Sequence, residues 1–196
     1  MTTASYDSAV VGDALVRHYA THGLPTDGGA SDPWFRVRIG PFTLRLPNPP
    51  ARRRAVFFHD VNHIVTGYNT TFSDGEMTIA AFEVGSGCGP FWIAWFINLT
   101  MFALGLLVRP RAVFQAFVRG RQTASIYHRQ EDRSAIAAMS VAELRTLLRL
   151  DAMPPAARFV DRLSFGAWAV VAGLVILTPV LALFAVLLGT VRLVGA

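Results

Sequence analysis

From Leu163 to Val191 the chain carries no charged side chain, and about 20 consecutive apolar residues in a helix are enough to cross the hydrocarbon of a bilayer. Residues 163–191 are therefore expected to form a transmembrane helix. The whole chain has 196 residues, which suits one globular core plus an anchor better than two independent domains. Hydrophobic residues make up 53% and charged residues 16%, a balance more apolar than that of ordinary soluble domains and consistent with a membrane protein. A second apolar run, Phe91 to Val108, lies at the lower limit of spanning length and carries Asn98 and Thr100 in its middle. Spanning, lying in the interface and packing in the core are all open to it.

Charge distribution favours a single span. Residues 1–90 hold seven Arg against eight acids, and residues 109–162 hold ten Arg against five. If both apolar runs crossed, the positive-inside tendency would keep the basic segment in the cytoplasm and export residues 1–90. The N-terminus MTTASYDSAVVGDALV has no basic region of the kind that opens a signal peptide, so residues 1–90 are expected to stay cytoplasmic. Arg158 and Arg162 would then sit at the inner headgroups, where each basic residue contributes about 1 kcal/mol. The basic residues are all arginine, which reads as lineage bias, and no nucleic-acid partner is expected. The single cysteine, Cys88, excludes an intrachain disulfide and a cysteine-cluster zinc site, leaving nitrogen and oxygen as metal ligands.

Along the chain, residues 5–23 suit a first helix with Val10, Val11, Leu15 and Tyr19 as its apolar stripe. WFRVRIGPFTLRLP alternates, with Phe35, Val37 and Ile39 on one face, a Gly-Pro turn, then Phe42, Leu44 and Leu46, and predicts a β-hairpin. PNPPARRR reads as a loop bearing three consecutive arginines. Two helices follow, AVFFHDVNHIVT breaking at Gly67, and a second after TFSDGE ending in glycine. Beyond the Phe91–Val108 run, helices are expected within 111–137 and 141–150, the latter opened by Ser140 and Glu143 as a capping box. The fold class is thus mainly α, with a small N-terminal hairpin and a C-terminal transmembrane helix. Its expected divisions are a 1–54 N-terminal region, a 55–155 helical metal-site domain and the 163–191 anchor.

The chemistry is concentrated in that central part. His59 and His63 are four apart, so on a helix they share a face with about 6 Å between β-carbons, close enough for both imidazoles to reach one ion. Asp60 is either a further ligand or a partner that orients an imidazole. Twelve residues separate Glu76 from His63, and an antiparallel return would bring its carboxylate back. Each has a plainer explanation as well. His-x-x-x-His pairs arise by chance, and Ser73 to Glu76 fits a Ser-x-x-Glu capping box. Glu83, seven residues after Glu76 and on the same helical face, is a reserve ligand. His18, His22 and His128 are isolated in the sequence, Arg52 to Arg54 read as a solvated run more readily than an anion site, and Trp92, Trp95 and Phe96 as packing or interface aromatics more readily than a cofactor box.

The run HDVNHIVTGYNTTFSDGE resembles the hallmark of the ubiquinone biosynthesis family Coq-four, His-Asp-x-x-His followed by about eleven residues and a glutamate. GEMTIAAFEVGSG and VAELRTLLRLDAMPP are similar to later parts of the same family, so that the resemblance covers residues 55–155. It implies a metal site at His59, Asp60, His63 and Glu76, with zinc as the usual ion. Fe(II) is the alternative that the ligand chemistry also admits. It further implies service in coenzyme Q synthesis, binding of a polyprenyl lipid or quinone precursor, association with other quinone-biosynthesis enzymes, and a role in removing the ring C1 carboxyl of a polyprenyl benzoate with hydroxylation. Further copies of the chain, in a homo-oligomer, and the cytoplasmic membrane complete the expected partners. The spacing before Glu76, residues 1–54 and the spanning tail depart from the family pattern.

Two readings follow. In one, the chain is a metal-dependent lyase or oxidoreductase acting on a polyprenylated ring, with the ion on His59, His63 and Glu76 and Asp60 as fourth ligand or proton carrier. In the other it is a lipid-binding scaffold for quinone-synthesis enzymes, in which the metal is structural. An HD-type phosphohydrolase fits less well, because a convincing upstream histidine and downstream aspartate are missing.

Overall fold

A computed structural model describes residues 8–39, 41–129, 132–151 and 156–194. Helix α1 spans Val11–Thr21 and buries Val11, Ala14, Leu15 and Tyr19, a helical stripe with Ala14 in the place expected for Val10, which is exposed. The expected start at residue 5 lies outside the described residues. Val11 N–H donates to the Met139 carbonyl and Val141 N–H to that of Ala9, both at 2.9 Å. This fastens α1 to the later helices.

Strands β1 (Trp34–Ile39) and β2 (Phe42–Pro47) form the expected antiparallel hairpin. The register pairs Phe35 with Leu46, Val37 with Leu44 and Ile39 with Phe42. Phe42, Leu44 and Leu46 are exposed, and the Arg52 guanidinium lies 3.8 Å from the centre of the Phe35 ring.

Helix α2 runs Pro50–Thr66. It begins earlier than expected, because a proline in the first turn lacks only an N–H that has no intrahelical partner anyway. Arg52 to Arg54 therefore lie in a helix instead of a loop, and α2 crosses the expected boundary at residue 54. Helix α1 also buries its stripe in the same core as α2, so these two helices share one hydrophobic interior. Gly67, with φ 76°, ends α2 in the left-handed conformation.

Helix α3 (Met77–Ser86) buries every residue from Met77 to Val84, and a helix apolar all round belongs at the centre. It lies between α4 (Trp92–Val108) and α5 (Pro110–Arg121). Glycines let α3 and α5 touch backbone to backbone. A β-carbon added at Gly85 would stand 2.3 Å from the Phe117 carbonyl oxygen, and one at Gly120 would stand 2.1 Å from that of Phe82. Of the three states open to the Phe91–Val108 run, α4 adopts a packed helix with one buried face, Ala94, Asn98, Leu99, Phe102, Ala103 and Gly105. Trp92, Phe96 and Leu107 are exposed.

The 111–137 region breaks into α5, a 3-10 turn at Ile126–His128 and the short α6 (Arg133–Ala138). Helix α7 (Val141–Leu147) opens with the expected capping box of Ser140 and Glu143. The DAMPP tail, apart from Asp151, lies outside the described residues.

Helix α8 (Phe159–Val194) has 36 residues, or about 54 Å at 1.5 Å per residue. Its first half docks on the domain: Trp168 stacks on Trp95 at 4.9 Å, and Phe165 meets Phe102, Phe114 and Phe117. Buried Asp161 accepts from Arg121 Nε at 2.9 Å. Among the described residues this is the one helix long and apolar enough to cross a membrane.

Candidate metal centre

One turn of α2 brings His59 and His63 together, with ring planes at 89° and Nε2 atoms 3.2 Å apart. The other ring nitrogens identify the tautomers. His63 Nδ1 lies 2.9 Å from the Tyr68 carbonyl oxygen, which can only accept, so Nδ1 carries the proton and Nε2 presents a lone pair. The left-handed turn at Gly67 carries the chain towards Tyr68, whose carbonyl meets His63. His59 Nδ1 lies 3.1 Å from Glu83 Oε1, again an acceptor, and its Nε2 faces that of His63.

Glu76 closes the group. Its carboxylate oxygens stand 3.4 Å from His59 Nε2 and 3.5 Å from His63 Nε2, and one ligand atom from each of the three residues falls within 4.8 Å of the others. The capping box considered for Ser73 and Glu76 does not form. Residues Phe72–Glu76 make a π-helical turn that runs into α3 with no side-chain cap. The wide turn needs Gly75, where a β-carbon would stand 1.6 Å from the Asn69 carbonyl oxygen. Gly75 and Glu76 N–H both donate to Thr71 O, at 2.8 and 2.9 Å.

Burial by itself would raise the Glu76 carboxyl, but the facing imidazoles, when they carry a proton at Nε2, outweigh it and hold the group well below the usual carboxylate range. Burial by itself would lower His59, but the charge of Glu83 and the hydrogen bonds that a protonated ring donates to both glutamates raise it well above an ordinary histidine. Two nitrogen lone pairs and a carboxylate directed at one point call for a cation: a proton on His59, or a metal ion in its place. Two imidazoles and a carboxylate are a donor set that zinc or Fe(II) accepts, with a further coordination position left for substrate or water.

Of the four residues expected to bind the ion, three converge and Asp60 stands beside them. Its carboxylate accepts from Tyr19 Oη at 2.9 Å, linking α2 to α1, and it lines the same cavity. Burial raises its carboxyl, with His59, His63, Tyr19 and Arg52 opposing. Glu83, the reserve ligand, is fully buried behind His59. Asn62 Nδ2 donates to its Oε1 at 2.9 Å, while Asn98 Nδ2 at 2.5 Å and Tyr127 Oη at 2.9 Å donate to Oε2. Cys88 is also buried, its thiol pushed up by burial and by Glu83.

The sequence reading missed Asn62, Asn98 and Tyr127 as parts of the centre. Asn98 did leave a signal, since an amide in the middle of an apolar helix needs a buried partner. His18 is not isolated: its ring stacks on that of His63 with centroids 6.0 Å apart, and burial followed by the nearby His63 and His22 pulls it down to about 4.

The centre opens on a cavity of about 620 Å³. Ile93, Ile97 and Met101 of α4 form an apolar wall, the hairpin contributes Trp34 and Phe35, and Arg36 and Arg52 bring positive charge. No family model, curated protein or solved structure matches this chain.

Proposed function

We propose that this chain is a membrane-attached metal protein of isoprenoid-quinone biosynthesis, acting on the ring of a polyprenylated benzoate in its C1 decarboxylation with hydroxylation. One observation carries the reading: His59 and His63, each held through Nδ1 by an acceptor, present Nε2 to a single point shared with Glu76. The HDVNH…E pattern that resembles the Coq-four family falls on those same three residues.

The cavity suits such a substrate. Small-molecule pockets run to about 300–1,000 Å³, mostly apolar with a few placed polar groups. Arg36 and Arg52 offer charge to a ring carboxylate, and the α4 wall of Ile93, Ile97 and Met101 offers an apolar path for a prenyl chain. Helix α4 packs against α8 as well, so the cavity wall adjoins the helix proposed to enter the bilayer from the cytoplasmic side. Zinc bound in this set would supply a Lewis acid towards the carboxylate, and Fe(II) would supply oxygen chemistry; replacing the carboxyl by hydroxyl releases carbon dioxide and two electrons, for which dioxygen is the oxidant that the reaction requires. Asp60, with its carboxyl raised by burial and hydrogen-bonded to Tyr19, holds or moves a proton at the cavity wall.

The scaffold reading draws on a different feature, that the three ligands come from α2 and the π turn, so that an ion would also tie two elements together. Metal analysis and turnover separate the two. Detergent-purified wild type is expected to carry about one equivalent of zinc or iron, and His59→Ala and Glu76→Gln to lose it. Release of carbon dioxide from a polyprenyl hydroxybenzoate by wild type alone, with all three proteins folded, supports the enzyme. Binding of the same lipid without turnover, together with loss of helix on chelation, would support the scaffold instead. A wild type free of metal under every loading condition would overturn both.

A further inference from the structure

Glu83 has no exposed surface, yet both of its carboxylate oxygens are fully engaged. Oε1 accepts from His59 Nδ1 at 3.1 Å and Asn62 Nδ2 at 2.9 Å, and Oε2 accepts from Asn98 Nδ2 at 2.5 Å and Tyr127 Oη at 2.9 Å. The donors come from α2, α4 and the 3-10 turn, so three separate elements converge on one side chain of α3. An ionised carboxylate taken wholly out of water needs a counter-charge as well as hydrogen bonds. Amides and a phenol supply the bonds. Among the described groups hydrogen-bonded to Glu83, His59 alone can transmit positive charge.

The geometry also says what Glu83 is not. Its oxygens face Nδ1 of His59, whereas His63 and Glu76 meet His59 at Nε2, on the other side of the ring. Four donors already occupy the carboxylate. It is therefore not a direct ligand, despite standing only seven residues after Glu76.

We propose that Glu83 is a positioning residue for the metal centre: through His59 Nδ1 it keeps Nε2 free for the ion, and with Glu76 it balances the charge of a divalent cation. This rests on the metal reading above. Neutral imidazoles at His59 and His63 and two carboxylates, one in contact with the ion and one behind it, make a divalent occupant electrically neutral. Asn62, Asn98 and Tyr127 hold Glu83 in place and explain three polar groups buried in an otherwise apolar core. A carboxylate behind a ligating histidine raises the basicity of the imidazole, and loss of such a partner typically weakens metal binding by about 10–100-fold.

The test titrates the full chain in detergent with Zn(II), and with Co(II) as a spectroscopic substitute. Glu83→Gln is expected to bind Zn(II) about 10–100-fold more weakly than wild type, with a Co(II) spectrum of unchanged coordination number. Glu76→Gln, which removes a ligand, is expected to change that spectrum. Ser140→Ala, at a helix cap that touches none of these groups, is the control for lost stability with unchanged affinity. Wild-type affinity in a folded Glu83→Gln protein overturns the inference while leaving the metal reading intact, and failure of wild type to bind either ion overturns both. Should Glu83→Gln not fold, nitrogen-15 histidine spectra of the zinc-loaded wild type decide. Ligation by His59 Nε2 with Nδ1 protonated supports the inference, and ligation through Nδ1 overturns it.

Discussion

Asp60 shows how little separates a ligand from a neighbour at the level of single side chains. It follows His59 directly, but one residue along a helix is a rotation of about 100°, and that turns its carboxylate away from the shared Nε2 point and onto Tyr19 of α1. Asp60→Asn is therefore expected to keep the metal, with Zn(II) affinity within a few-fold of wild type. Tyr19 can donate to the amide oxygen as it does to the carboxylate, so the fold should survive too. If Asp60 moves a proton during the reaction, the same variant loses about 100-fold or more in turnover. Metal affinity and turnover measured on one preparation make the test. Loss of the ion would return Asp60 to the ligand set, and retention of both ion and rate would leave it a structural link between α1 and α2.

At the level of elements, the glycine contact between α3 and α5 positions the chemistry, because α3 carries Glu83 and begins directly after Glu76. Gly120→Ala tests it by the sign of its effect. In a helix interior with room for a methyl group, glycine to alanine stabilises by about 1 kcal/mol. Here the methyl would meet the Phe82 carbonyl at 2.1 Å, a backbone atom that cannot turn aside, and overpacking of this kind costs about 1–3 kcal/mol. A fall of several degrees in the thermal midpoint with weaker metal binding is expected, and a rise would refute the close crossing. Periodicity made α1, the hairpin, α2 and α3 legible in the sequence, and the i, i+4 histidines were legible for the same reason. The crossing of α3 on α5 was not, since a lone glycine in a helix looks the same whether it faces water or another backbone. Glu83 was visible as a residue on the right face. Its place behind His59 was hidden because Asn98 and Tyr127 are far away in sequence, and only the packed core brings them within reach. Proline at the start of α2 was misread as a break because a proline that ends structure and one that begins a helix share the same local signature.

For the whole molecule, α8 is a two-faced element. Towards the domain it lays down Phe165, Trp168 and Ala172, at the i, i+3 and i+7 spacing of a packed helix. On the opposite side Leu163, Val170, Leu174 and Leu177 are exposed, an apolar surface that water would not leave bare. Its length of about 54 Å exceeds the roughly 30 Å of bilayer hydrocarbon, so one helix can both dock on α4 and α5 and continue into a membrane. A paired substitution, Leu174→Arg with Leu177→Arg, separates the anchor from the site. Each arginine near the centre of a spanning helix costs about 2.5–3.5 kcal/mol of insertion free energy, yet neither leucine touches the metal centre. Wild type is expected to float with lipid vesicles in the absence of detergent. The paired variant is expected to leave the vesicle fraction while keeping its metal, so that turnover on a short-chain, water-soluble benzoate survives and turnover on a long prenyl substrate in vesicles collapses. Flotation of the variant as readily as wild type would mean that membrane attachment lies elsewhere in the chain, and a wild type that stays in solution without detergent would remove the membrane from the account altogether.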